Sequence, residues 1–369
     1  MSFSFYMPVK IMGGKSVISK HGDEFKKYGN KCLIIFTGAS ARLCGALGDV
    51  CSALENDGIE FELFDKISVN PKTTECYEAG KAARAFGADF IIGIGGGSAL
   101  DAAKAAAVYA ENEDIAPEDI YLKSVSAPLP VILVGTTAGT GSEVTGVSVL
   151  TRENGKKKSV SGENYYAKLA LADPLYTYSV PYEVTVSTAV DAFSHAVESL
   201  FSNKAEFNSK SYARKAIKPL WECIHFFYTN GAIPTDKMRD TLYYSSLYAG
   251  MALNLTGTCF PHTLGYTLTE DYGIAHGFAC AVFLPAFVKR SMEFKNELAV
   301  SFLSEIGASL PEFEHVISSV TKIKDVSMTK EQISAYCENW HNIKNFQNTP
   351  GGFSVTDAEA LLTELFCKD

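Results

Sequence analysis

The chain has no apolar run that would cross a bilayer. Its longest, such as residues 277–288, falls well short of the roughly 20 residues a spanning helix needs. It has no basic tract beyond Lys156-Lys157-Lys158 and a formal net charge of −9, which argues against a nucleic acid or an anionic membrane as partner. It has no CxxC pair. Its nine cysteines are scattered, and an odd count in a chain of 369 residues argues against a disulfide framework. They read as reduced, buried thiols of a cytoplasmic protein. The first ten residues lack a basic start followed by an apolar stretch, so no secretory leader is expected. Repeats and low-complexity segments are absent as well.

What is present is ordinary globular material: 47% apolar and 20% charged residues. The length implies two domains. Residues 31–37 (KCLIIFT), 61–64, 89–94 and 129–134 are short apolar runs suited to buried parallel strands. Between them lie helical stretches at 39–57, 73–86 and 99–109. This alternation predicts a parallel sheet covered by helices. Asn154-Gly155, between alternating residues of 147–161, signals a hairpin with a type I′ turn. After Asp173-Pro174 the strand signals fade, and from about Val184 long segments carry helical periodicity. The expected organisation is an α/β dinucleotide-binding domain over 1–174 and an all-helical domain over 175–369.

One glycine turn stands out. Gly93-Ile94-Gly95-Gly96-Gly97-Ser98 follows a strand, and Ala99 opens a helix. Glycines there let backbone N–H groups approach a phosphate, and the helix terminus adds partial positive charge. The turn is neither a strict GxGxxG fingerprint nor a P-loop. By itself it also fits a plain tight turn, and Asp101 and Lys104 fit a plain helix face. A second loop, from Gly135 to Glu143, follows another strand and is dense in hydroxyl donors. Two such loops at the carboxyl ends of parallel strands face one crevice, which favours a bound dinucleotide over coincidence.

Asp191 and His195 are four apart and share one helix face. Taken alone they describe the polar stripe of an amphipathic helix. The residues flanking the stripe, Ala192, Ser194 and Ser199, are small, however, where a solvated stripe carries long charged chains. His262 and His276 each sit in a glycine-bearing apolar context, and either one alone reads as a core histidine. Three of seven histidines in such settings, with a carboxylate, suit a divalent site whose mixed N/O donors fit Zn, Fe, Co or Ni. His21, His225, His315 and His341 are given no role.

Gly95-Gly96-Gly97-Ser98-Ala99-Leu100-Asp101-Ala102-Ala103-Lys104 resembles the GGGSxxDxxK signature of the iron-containing alcohol dehydrogenase family, and residues 136–143 resemble its TTAGTGSE loop. Asp173-Pro174 with residues 191–198 is similar to its DP…DALxHAxE segment, and residues 262–285 to its HxLG…xHGxxxAxxLP segment. The similarity is collinear over nearly the whole chain. It implies a Rossmann-like N-terminal domain and a helical C-terminal domain, the fold shared with dehydroquinate synthase, with the active site in a cleft between them. It implies Fe²⁺ or Zn²⁺ held by Asp191, His195, His262 and His276. It implies NAD or NADP contacts from Gly95, Gly96, Gly97, Ser98, Asp101, Thr136, Thr137, Thr140 and Lys158. The implied reaction is hydride transfer between the nicotinamide and a small alcohol/aldehyde pair. The enzyme is expected to form a homodimer or a higher homo-oligomer.

Two departures matter. Many members carry a histidine four residues after the third ligand; here it is Tyr266, which either replaces it in a catalytic role beside His276 or simply makes the site more apolar. NAD-preferring members often place an aspartate after the strand that ends here at Phe36-Thr37. Here Gly38, Ala39 and Ser40 follow, so a 2′-phosphate meets no repulsion and Ser40 or Arg42 is placed to contact it; NADP is favoured on this ground. The competing reading is a lyase resembling dehydroquinate synthase, whose acidic phosphorylated substrate wants basic residues. A non-catalytic protein that has kept the fold is a further alternative, against which the four intact ligand positions argue. Around the ligands the sequence offers Phe193, Phe260, Tyr266 and Tyr272, which favours a small or apolar substrate.

Overall fold

The computed structural model describes residues 3–323 and 325–367. By internal contacts the chain divides into two units. One comprises Tyr6–Pro181 with Thr235–Gly250, the other Tyr182–Pro234 and Met251–Asp369 with the first five residues. The composition change near residue 174 thus lies a few residues before the point where packing changes.

The α/β unit contains β1 (Lys10–Gly13), α1 (Val17–His21), β2 (Lys31–Phe36), α2 (Ser40–Leu43), α3 (Ala46–Asn56), β3 (Glu60–Phe64), α4 (Thr73–Phe86), β4 (Phe90–Gly95), α5 (Gly97–Glu111), β5 (Val131–Gly135), β6 (Val147–Thr151), β7 (Lys157–Ser161) and β8 (Leu169–Ala172). Six strands form a parallel sheet in the order β1-β8-β5-β4-β2-β3. Its central strands β8, β5, β4 and β2 are apolar on both faces because both faces are covered. Leu33, Ile35, Ile91 and Leu133 join one core cluster with α4 and α5. Cys32, Ile34, Phe36, Ile92 and Val134 join another with α1 and α3. The chain runs outward from β2 to β3, then crosses back to β4 and on to β5. The strand order therefore reverses between β2 and β4, where open α/β sheets bind ligands at their carboxyl ends.

Three expectations needed revision. The helix expected over 39–57 is two, because Gly45 adopts φ +87° and breaks it. The hairpin β6–β7 is present, but its turn is not type I′. Arg152 pairs with Lys156, and of the intervening residues Gly155 has positive φ, at +80°, while Asn154 does not. That is a three-residue loop closed by a left-handed glycine. Strands β1 and β8 carried no sequence signal: β8 is LALA, without β-branched residues, and β1 is a half-exposed edge strand of four residues.

Beyond Pro181 the regular elements are helices, as expected. They are α6 (Tyr182–Phe201), α7 (Phe207–Asn230), α8 (Asp236–Thr256), α9 (Phe260–Tyr272), α10 (His276–Ala281), and α11 to α16, from Leu284 to Phe366. The first part of α8, through Gly250, belongs to the α/β unit. Among the described residues no helix is long and apolar enough to cross a membrane.

Candidate functional site

In the α/β unit the two glycine-bearing loops touch. Gly95 ends β4 and Gly135 ends β5, paired in register, and the Thr136 N–H donates to the Gly95 carbonyl at 2.9 Å. A Cβ on Gly96 would lie 3.1 Å from Thr137 Oγ1, and one on Gly97 would lie 2.7 Å from Thr140 Cγ2. The turn is bare because the second loop lies against it. The α5 N-terminus opens at Gly97, so its first N–H groups are unspent and suited to an anion. The Ser98 hydroxyl accepts from the Asn70 N–H at 3.2 Å and keeps its own proton to give. Gly38, φ +52°, follows β2 on the other side of the strand-order reversal. Ser40 opens α2, and the Arg42 guanidinium lies 5.0 Å over the Phe36 ring.

Asp101 and Lys104 are internal to this unit. Asp101 accepts from the Ser142 hydroxyl at 2.5 Å and from the Val149 N–H at 2.9 Å, bracing the second loop and β6. Lys104 is fully buried and donates to the Ser142 hydroxyl and the Thr145 and Val147 carbonyls at 2.8–2.9 Å. Burial pushes its ammonium down to about 8, against the pull of Asp101 and Glu143. Burial likewise raises the carboxyls of Asp101 and Glu143. The Lys158 ammonium lies 4.9 Å over the Tyr121 ring. A period-2 strand sends adjacent lysines to opposite faces, which spacing within a KKK run does not disclose.

In the helical unit the four expected metal donors converge. Asp191 Oδ1 lies 3.9 Å from His195 Nε2, 3.6 Å from His262 Nε2 and 4.0 Å from His276 Nε2. Helix α6 brings the first two on one face, and it is a central helix, buried throughout 189–201. Helix α9 starts with Pro261 in its first turn, which suits a position lacking an N–H partner. Helix α10 carries His276 at its first residue, and Gly277 lets it approach α6. A Cβ there would lie 1.8 Å from the Ser187 carbonyl oxygen and 3.0 Å from Asp191 Cβ. The His195 and His262 rings stack at 4.6 Å. Of the four, His276 is the accessible one, its side chain 27% exposed against 5% for Asp191.

The donors fit a divalent cation. Asp191 Oδ1 and His262 Nε2 are buried, and neither has a hydrogen-bond partner among the described residues. Buried polar atoms are almost always paired, so an anionic oxygen facing an imidazole nitrogen in this state marks an ion site. Metal bonds of about 2.0–2.2 Å put tetrahedral donors about 3.4 Å apart, close to the 3.6–4.0 Å spacings here. Burial disfavours charge on Asp191, but His195, then His262 and His276, hold its carboxyl well below the usual range. Burial also opposes the imidazolium of His262. Cys280, Glu198 and Asp191 outweigh it and raise His262 well above the usual imidazole range.

Two residues at this centre had no sequence-level role. Glu198 is fully buried; it accepts from His262 Nδ1 at 2.5 Å and from the Cys259 N–H at 2.7 Å. That contact fixes an N–H on Nδ1 and leaves Nε2 as the ring nitrogen turned towards Asp191. Cys280, read as an inert thiol, lies with its Sγ 3.7 Å from both ring nitrogens of His276. The i, i+4 spacing of His276 and Cys280 stands in the sequence beside that of Asp191 and His195, but only the second serves there as a signal, and which partner lay opposite was not legible. Of the aromatics expected around the ligands, Tyr266 stacks on His276 with centroids 5.4 Å apart. Phe193 packs instead on Trp221 and Phe313, Phe260 on Phe287 and Phe353, and the Tyr272 hydroxyl donates to the Ser327 carbonyl. Helical periodicity marks such residues as buried without saying against what.

Comparison with known proteins agrees with this geometry. Residues 8–174 match the family described as iron-containing alcohol dehydrogenase, and residues 185–366 match the C-terminal domain of that family. A sulfoacetaldehyde reductase of Bilophila wadsworthia is 37% identical over 293 residues, 78% of this chain and 75% of that protein. The crystal structure of an iron-containing alcohol dehydrogenase from Thermotoga maritima superposes with a TM-score of 0.89 at 33% identity, covering 98% of this chain and 99% of that one. That of a sulfoacetaldehyde reductase from Bifidobacterium kashiwanohense, in complex with NAD⁺, superposes with a TM-score of 0.88 at 28% identity over the full length of both.

Proposed function

Because the chain belongs to the iron-containing alcohol dehydrogenase family, we propose that it reduces a small aldehyde, and oxidises the corresponding alcohol, at the Asp191/His195/His262/His276 centre. It is a metal-dependent oxidoreductase that moves a hydride between a nicotinamide cofactor and the carbinol carbon. The observation that carries this assignment is one carboxylate oxygen within 4.0 Å of three imidazole nitrogens.

A divalent cation on these donors supplies Lewis acidity, favouring the alcohol's ionised form in one direction and polarising the carbonyl in the other. Asp191 contributes the negative charge, and its burial keeps that charge from being screened. Glu198 holds the tautomer of His262. Tyr266, in place of the histidine common at that position, positions His276 by stacking. On the α/β unit, the Gly96 and Gly97 turn, Ser98, Thr136, Thr137 and Thr140 bind the pyrophosphate. Asp101 acts behind them by holding the second loop.

The cofactor preference we assign is NADP(H). Its support is Gly38 in place of a carboxylate after β2, with Ser40 and Arg42 following in α2. Iron is the native ion on family grounds, with zinc compatible with the donor set. We place the enzyme in the cytoplasm as a homo-oligomer; its nine cysteines, all free thiols, support a reducing compartment. The lyase reading is not favoured: the relatives are reductases and dehydrogenases, and the side chains shown against the ligands include Glu198, Tyr266 and Cys280, which are not basic.

The test is an anaerobic reconstitution with Fe²⁺ or Zn²⁺, followed by a screen of short alcohols and aldehydes with NADH and NADPH, read as nicotinamide absorbance. Metal-dependent turnover that His276→Ala abolishes is expected. Full turnover in chelator-stripped protein would refute the assignment.

A further inference from the structure

We propose that Cys280 is itself a donor to the ion, so that this centre is a mixed carboxylate, imidazole and thiolate site. The inference rests on the metal-centre reading above and deepens it. One donor atom each from Asp191, His262, His276 and Cys280 lies within 4.8 Å of every other. Cys280 Sγ is 3.7 Å from His276 Nε2. With the sulfur as a fifth donor beside Asp191 and the three imidazoles, a Zn–S bond of about 2.3 Å and a Zn–N bond of about 2.0–2.1 Å at the roughly 90–120° angles of five-coordination put sulfur and nitrogen about 3.1–3.8 Å apart.

Independent features of the fold serve the same arrangement. His276 and Cys280 are four apart on α10, as Asp191 and His195 are on α6, so each helix presents two donors on one face. Gly265, inside α9, clears the place for the sulfur: a Cβ there would lie 2.7 Å from Cys280 Sγ. A glycine within a helix costs stability, and here it is the condition for the thiol's approach. The buried, unpartnered Asp191 Oδ1 and His262 Nε2 point to a ligand at the same place. On coordination the S–H bond breaks, its proton leaves to solvent and a sulfur–metal bond forms, with no change of oxidation state. A soft sulfur donor shifts the preference of the centre towards Zn²⁺ and Co²⁺ relative to a site of nitrogen and oxygen alone.

Co²⁺ titration of chelator-stripped protein tests this without measuring turnover. Visible d–d bands report occupancy of the centre, and a near-ultraviolet sulfur-to-cobalt charge-transfer band reports thiolate ligation. Both are expected in the natural protein. Cys280→Ser and Cys280→Ala should keep the d–d bands and lose the near-ultraviolet band. In competition assays Zn²⁺ affinity should fall more than about tenfold, the loss that follows even the removal of an outer partner. Cys44→Ser, in the α/β unit, should leave the spectrum unchanged. Visible bands without the near-ultraviolet band in the natural protein would overturn the role of Cys280 and leave the centre standing. A near-ultraviolet band that survives in both Cys280 variants would do the same. Failure to bind Co²⁺ at all would sink both readings.

Discussion

Gly277→Ala is the sharpest test of how the metal centre is assembled. The added methyl would sit 1.8 Å from the Ser187 carbonyl oxygen, part of the backbone of α6, and 3.0 Å from Asp191 Cβ. Real Cβ atoms essentially never come nearer than 3.0 Å to such a neighbour, so α10 must move away from α6 by at least about 1.2 Å. Metal–ligand bonds tolerate only about 0.2 Å. His276 opens α10, immediately before Gly277, and shifts with it, so the ligand set should fail before the fold does. The overpacking itself costs about 1–3 kcal/mol, which lowers Tm by about 2–4 °C per kcal/mol in a unit of this size. The expected variant keeps its helical circular dichroism, melts a few degrees lower and holds little metal by elemental analysis. A Gly277→Ala protein that binds one equivalent of metal with undiminished affinity would refute the argument that this glycine sets the approach of His276 to Asp191.

Other outcomes follow from the same geometry. Glu198→Ala should lower metal affinity by about 10–100-fold, because His262 loses the acceptor that fixes its tautomer. Glu198→Gln should recover part of this, since its amide oxygen still accepts while its NH₂ opposes the Cys259 N–H. Isothermal competition with a chelator measures both. Lys104→Met leaves the Thr145 and Val147 carbonyls and the Ser142 hydroxyl without their buried donor and should cost about 3–5 kcal/mol in denaturant unfolding. The folded protein holds the Lys104 proton less tightly than the unfolded chain, about 8 against 10.5. Stability from this group therefore rises with pH across that window, by at most about 3 kcal/mol, and is lost again as pH falls through 8; Lys104→Met should flatten that slope. Tyr266→Phe should keep near-normal kcat if stacking on His276 is its role, whereas Tyr266→Ala should lose activity; a collapse of kcat in Tyr266→Phe would show that the hydroxyl acts chemically. Gly97→Ala should raise KM for the cofactor by about tenfold or more, through displacement of Thr140, with metal content unchanged.

Much of this molecule was legible before any coordinates. The parallel sheet announced itself in apolar runs such as KCLIIF and FIIGIG, because strands covered on both faces need apolar residues at every position. The candidate metal donors could be picked out because few other settings place a carboxylate and imidazoles among small, uncharged neighbours. Strands β1 and β8 were not, since pairing with a neighbour holds them where their own residues carry no preference.

The division between the two levels has a physical basis. Residue types, helical spacing and glycine positions are local, and from them alone came the fold class and the expectation of two phosphate-suited loops and four metal donors. Which atoms meet is set by packing between segments distant in sequence. Only the tertiary structure could place Glu198 behind His262, bring Cys280 and Tyr266 against His276, set Lys158 over Tyr121, and send Phe193 and Phe260 into the core.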